Sequence, residues 1–222
     1  MMSNLFSTFD PSTSMHMSTL WMSSFLFIIM IPWSFWFQKS RYSYIKKIIM
    51  NKMFMEFELL LHKQKNISIL FMSLFLFILF NNMMGMVPYV FTSSSHLVFT
   101  MTLALPMWLT LMLFGWFQKS RHMFIHLCPL GAPYFIMPLM VCIETMSNII
   151  RPGSLAVRLS TNMFAGHILM AMLGNNMISM SNTMIITMTI IQMSLILFEI
   201  AVSLIQAYVF SILSTLYTSE VI

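Results

Sequence analysis

Charge and glycine are both scarce in this chain. Charged side chains make up 8% of its 222 residues, and glycine occurs 6 times. A water-bathed domain of this length needs far more charge to clothe one core, so a soluble globular fold is excluded. Cysteine is limited to Cys128 and Cys142. Their separation matches neither a metal-ligand motif nor a small disulfide scaffold, so both read as packing residues and no metal or cofactor is expected. The segment Met1 to Asp10 has no basic run ahead of an apolar stretch and no arginine-rich pattern, so neither a secretory signal nor a transit peptide is read there. Asn-Gly turns, strand-like alternation, internal repeats and low-complexity linkers are absent as well.

What fills the chain is apolar. Hydrophobic residues reach 59% and the mean hydropathy is +0.84, which places most of the polypeptide in hydrocarbon as an integral membrane protein. The 28 Met and 21 Phe point to an A/T-rich genome, and a mitochondrially encoded protein fits; synthesis inside the organelle would make an import signal unnecessary. The net charge of +5 comes mostly from loop lysines, so it reports topology and not nucleic-acid binding.

The spans follow from length and periodicity. Residues 20 to 37 suit one crossing, with tryptophans as interfacial anchors at both ends. Between residues 42 and 62 lysines alternate with Ile45, Ile48, Ile49, Met53, Phe57 and Leu60, three to four apart, which describes an amphipathic helix on the membrane surface. Residues 67 to 91 and 97 to 117 make a membrane hairpin. The segment from Pro133 to Gly174 would be roughly 60 Å of helix, about twice the hydrocarbon thickness, and residues 178 to 217 pose the same problem. Pro138 and Pro152-Gly153 can bend the first of these but supply no polar turn long enough to reverse it. The expected fold is therefore all-α: one membrane domain of five membrane helices and one surface helix, the last two long, strongly tilted and joined as a hairpin across Asn175 and Asn176.

Within residues 133 to 217 every lysine is missing, and the strongly ionisable groups reduce to Glu144, Arg151, Arg158, His167 and Glu199. A guanidinium cannot be deprotonated in a protein, so Arg158 needs a partner or a watery path and by default marks a functional site. At 100° per residue Ser154, Arg158, Thr161 and Ala165 share one face, a stripe of small residues that lets another helix come close. Asn162 lies one turn beyond Arg158, His167 projects from the opposite face, and Glu199 and Gln206 share a face on the following helix. A fixed bridge from Arg158 to Glu199 or Glu144, with His167 as a satisfied core histidine, would account for each group singly. Together the set exceeds what packing requires and reads as a proton route. Glu199, His167 and Glu144 can exchange protons; Arg158 can only attract a carboxylate and block leakage.

The motif Leu155-Ala-Val-Arg-Leu159, then Asn162 and Ala165-Gly-His167, then Glu199-Ile-Ala-Val-Ser-Leu-Ile-Gln-Ala-Tyr-Val-Phe210, resembles subunit a (subunit 6) of the mitochondrial F-type ATP synthases. The likeness runs over essentially the whole chain, including Asn4 to Pro11, Asn81 to Tyr89 and Cys142 to Gly153, with mild departures at Ser160, Thr161 and Leu130. It implies that the two long helices wrap a rotating ring of c subunits and that Arg158 meets each ring carboxylate in turn. It also implies that Glu199, His167 and Gln206, with Asn162 nearby, line a half-channel from the intermembrane space, and that Glu144 lines the path to the matrix. Peripheral-stalk and small hydrophobic accessory subunits, membrane lipid and protons are the implied partners, and nucleotide chemistry sits on other chains.

Two other classes compete. A haem-bearing subunit of a respiratory-chain pump would need paired histidines inside spans, and only His167 lies well within one. A secondary transporter would show repeated halves, discontinuous helices or membrane lysines.

The basic segments 38–65 and 118–131 fall on one side of the membrane, the matrix, and an odd number of spans puts the N-terminus in the intermembrane space and the C-terminus in the matrix of the inner mitochondrial membrane. Accordingly, an Arg121→Cys variant should react with an impermeant maleimide only from the matrix side. Labelling from the intermembrane side would overturn this topology.

Overall fold

The computed structural model describes residues 5–12, 18–30, 40–61, 64–128, 133, 135–177 and 181–221. Every regular element among them is helical. Three helices are long and apolar enough to cross a membrane, namely Lys65–Gly85, Leu97–Gln118 and Thr183–Val221, so the chain is a multi-pass membrane protein.

The first expected crossing is described only in part. Thr19–Phe25 winds as a 3-10 helix, not an α-helix, and passes into a short α-helix, α1, over Phe27–Met30. Ser24 Oγ donates to the Trp21 carbonyl at 2.8 Å, and the Trp21 ring packs 5.3 Å from that of His96. Local hydroxyl bonding of this kind competes with an i−4 ladder. Residues 31–39, the remainder of that span, lie outside the described residues.

Helix α2 spans Arg41–Leu60 and starts where Ser40 caps it, its side chain accepting from the Ser43 N–H at 3.3 Å. Of its expected apolar stripe, Phe57 is fully buried and Met53 packs on the same core, while Ile45, Ile48 and Ile49 are exposed. Only the C-terminal half of α2 is docked. Helix α3, Lys65–Gly85, stops short of the expected residue 91, because Pro88 cannot donate to a helical ladder and Tyr89 adopts a left-handed φ of 68°. Helix α4, Leu97–Gln118, keeps Pro106 in its interior. The segment expected as a basic loop, 118–131, contains an eight-residue helix, α5, over Ser120–Leu127; Phe124 packs edge-on against Trp116 of α4 with ring centroids 5.0 Å apart. Its amphipathic turns were hidden by the density of basic residues.

The two longest helices are continuous. Helix α6 runs Met137–Met177 and α7 runs Asn182–Val221. Pro138 sits in the first turn of α6, where its missing N–H would have no helical acceptor, and the helix passes through Pro152 without breaking. Asn175 and Asn176, expected as the hairpin turn, belong to the last turn of α6, and residues 178–180 lie outside the described residues. Asparagine at a helix end was read as a turn because it is favoured in both settings.

Cross-helix contacts show the direction of the pair. Arg151 meets Glu220, Asn162 meets Gln206 and Gly166 meets Glu199, so α6 and α7 are antiparallel. The buried positions of α6, Pro152, Leu155, Ala156, Leu159, Ser160 and Met163, recur at helical spacing, and Leu155, Ala156 and Leu159 join Phe57, Met72, Phe75, Ile78, Ala104, Ala207 and Phe210 in the core. Helix α7 turns inward a face of small and hydroxylated residues. Ser203, Ser211, Ser214, Thr215 and Thr218 are all buried, and each hydroxyl donates to the carbonyl three residues back at 2.6–2.9 Å. Their polarity is thereby met mostly within α7, the Ser203 hydroxyl reaching also the Met83 sulfur of α3 at 3.5 Å, and their small size permits close approach of α3.

Candidate functional site

Arg158 occupies the outer face of α6. Its side chain is exposed, and among the described residues the guanidinium makes no hydrogen bond or ion pair. Ser154, Thr161 and Ala165 are exposed on the same stripe, as helical spacing predicts. The fixed bridge from Arg158 to Glu199 or Glu144 does not form. Glu144 lies instead beside Arg151, 3.6 Å from its Nη2, and Arg151 Nη1 donates to Glu220 Oε2 at 2.7 Å. The short bond is a charge-assisted hydrogen bond; the long one is a looser ion pair. The Arg151 guanidinium also lies 4.9 Å from the centre of the Tyr217 ring.

The other predicted residues gather further along the hairpin. Asn162 Nδ2 donates to Gln206 Oε1 at 3.1 Å, tying the arginine-bearing face of α6 to the buried face of α7. One turn on, Gly166 makes room for Glu199: a Cβ there would come within 2.8 Å of the Glu199 Cδ and 3.1 Å of its Cγ. The absence of a side chain is what allows the carboxyl to lie against α6. His167 turns away from Arg158 towards the N-terminal segment, where Phe9 meets its ring edge-on at 6.5 Å; its Nε2 is buried without a partner. Glu199, Gln206, Asn162 and His167 thus cluster at one end of the hairpin, and Glu144 is held apart at the other.

The fold brings in further groups that sequence reasoning did not assign to the site. Glu220 lay beyond the window of residues searched for ionisable groups, and Arg151 was noted without its partners. His96 closes the loop Thr92–His96 that joins α3 to α4; it is stacked 5.1 Å from Phe91 and hydrogen-bonded to the backbone of Phe9. Asn82, fully buried on α3, has both side-chain polar atoms without partners, as do Ser94 Oγ and His96 Nε2. Gly85, one turn from Asn82, abuts both Thr92 of that loop and Met163 of α6. Buried polar atoms with no protein partner are typically met by ordered water. The signal in the sequence was the polar run Asn81-Asn82 and Thr92 to His96 between two apolar spans.

At the opposite end a cavity of about 530 Å³ is lined by Glu144, Arg151, Glu220, Tyr217, Trp108 and His126, among others. The antiparallel pairing sets the spacing between the two ends. Arg158 is about 10–12 Å along α6 from Arg151 on one side and from Gly166 on the other.

The family model described as the ATP synthase A chain matches residues 49–219. The chain belongs to that family. Full-length relatives agree: the ATP synthase subunit a of Drosophila yakuba and that of Drosophila melanogaster are each 52% identical over 223 residues, covering all of both chains. The subunit a of Anopheles gambiae is 49% identical over 225 residues, again with complete coverage. Membership of the ATP synthase A chain family removes the respiratory-chain and transporter readings.

In this family member the loop before α4 should sense pH. Burial pulls the His96 imidazole below its ordinary value of 6.5, and the smaller effect of the Phe9 backbone bond opposes it. A histidine with a depressed folded-state pKa binds fewer protons when the loop is packed than when it is open. Packing is therefore favoured above about pH 6.5 and weakens as pH falls below it. Amides of residues 92–96, corrected for intrinsic exchange, should lose protection as pH drops from about 7.5 to about 5.5; constant protection would contradict a His96 imidazole desolvated by loop packing.

Proposed function

We propose that the chain is the proton-translocating stator subunit of the membrane sector of an F-type ATP synthase, seated in the mitochondrial inner membrane. It crosses the membrane five times, with its N-terminus in the intermembrane space and its C-terminus in the matrix, and its two long helices lie strongly tilted against a ring of c subunits. Peripheral-stalk and accessory subunits hold it in place, and nucleotide catalysis belongs to other chains.

The observation that carries this reading is the exposed Arg158, on a stripe of small residues and without a partner among the described residues. A cation that no described group neutralises, on a face that allows a helix to approach closely, suits a carboxylate supplied from outside the chain. The water-holding cluster of Asn82, Ser94, His96 and His167, continued by Glu199, Gln206 and Asn162, is the inlet half-channel from the intermembrane space. The cavity around Glu144, Arg151 and Glu220 is the outlet to the matrix. Arg158 stands between them, so a proton cannot pass directly and must travel on the ring. Each charge carried through the full potential contributes about 2.3 kcal/mol per 100 mV, which turns the ring.

Glu199→Gln tests the inlet. Because Glu199 forms no ion pair with Arg158, its neutralisation strips no cation of a partner and should leave the assembled complex at normal abundance. Proton flow and ATP synthesis should fall strongly, since an amide cannot accept and release protons. If Glu199 is instead structural, the abundance of the assembled complex falls while flux per assembled complex stays normal. That second outcome would overturn the inlet role.

A further inference from the structure

We infer that His122 and His126 on α5 form a chelating site for a divalent transition metal of the zinc class. This goes beyond proton translocation and does not depend on it. The two residues stand four apart on an α-helix, so their side chains share one face. Their Nε2 atoms are 3.2 Å apart while the ring centroids are 4.3 Å apart, so the rings lean together at their nitrogen tips. Two nitrogens at that separation, each about 2.0–2.1 Å from one ion, subtend an angle of roughly 100–105° at the metal, close to tetrahedral. Without a metal the same contact is an N–H···N hydrogen bond between the rings.

Three features favour a metal over a bare hydrogen bond. Both histidines are exposed, so an ion reaches them without dehydrating a closed site. Helix α5 is pinned to α4 through Trp116 and Phe124 and through Met123 against Gly115, which limits how far the two rings can drift apart. His126 also lines the cavity that contains Glu144 and Glu220, so a bound ion stands at the mouth of an acidic chamber whose water can complete its shell. Imidazole pairs select zinc, copper or nickel, and a site with no carboxylate among its ligands is unsuited to magnesium or calcium. Lys119 and Arg121 nearby oppose any cation, which sets the affinity below that of a three-histidine site.

The test uses the assembled complex, stripped with chelator and titrated with zinc ions alone. Wild type should bind an equivalent of zinc that His122→Gln and His126→Gln each weaken by more than about tenfold, the least that loss of even an outer-shell partner costs a metal site. His122→Cys should keep the site, and X-ray absorption should then show one sulfur ligand at about 2.3 Å in place of a nitrogen. Should glutamine disturb assembly, the cysteine variant still decides, because the sulfur ligand arises only if residue 122 holds the ion. Equal zinc binding by wild type and both glutamine variants, or a cysteine variant whose zinc has no sulfur ligand, would overturn the proposal and leave the pair as a hydrogen bond only.

Discussion

A guanidinium keeps its charge wherever a protein places it, and the arrangement of α6 and α7 leaves that of Arg158 without a partner among the described residues. The nearest way to satisfy it would be a carboxylate from the same chain. The hairpin withholds one: Glu144 is engaged by Arg151, which also takes Glu220, and Glu199 is drawn to the hollow left by Gly166. Each acid is committed away from Arg158 by a specific contact. The second cation, Arg151, is as important to this division as the first, because it occupies the acidic groups at its end of the hairpin and keeps them from compensating Arg158.

That separation requires two long helices in close antiparallel contact, and the composition of α7 makes the contact possible. Helices in a membrane gain nothing from hiding apolar surface, which lipid covers equally well, so they associate through close packing and polar contacts. The buried serines and threonines of α7 supply the small size while bonding their own backbone, and Asn162 with Gln206 supplies the one interhelical amide bond at the level of the arginine. The same economy does not extend to Asn82, Ser94, His96 and His167, whose buried atoms find no protein partners.

Much of this was legible from residue order. The lengths of the last two apolar segments predicted two long helices, and they run unbroken for 41 and 40 residues. The stripe of Ser154, Arg158, Thr161 and Ala165 followed from helical periodicity alone and is exposed as a unit. What stayed hidden were contacts between residues distant in sequence. Nothing local says that Arg151 will meet Glu220 or that Gly166 will receive Glu199, because both depend on the register between two helices. Helix ends were also misread where one residue type serves two purposes, as Asn175 and Asn176 do. Short α5 escaped notice because it falls within a segment read as a basic loop, although its apolar Met123 and Phe124 anchor it to α4.

The central claim is that the exposed face bearing Arg158 is where a ring carboxylate is met, and a disulfide trap probes it directly. Cysteines placed at Thr161 and at Ala165, one turn and two turns beyond the arginine on the same stripe, would be paired with a cysteine introduced beside the ring carboxylate and oxidised mildly in active, assembled complexes. The account predicts a cross-linked product from both positions, with rotation-driven ATP synthesis lost on oxidation and restored on reduction. The absence of any cross-link from either position in complexes that still synthesise ATP would contradict it.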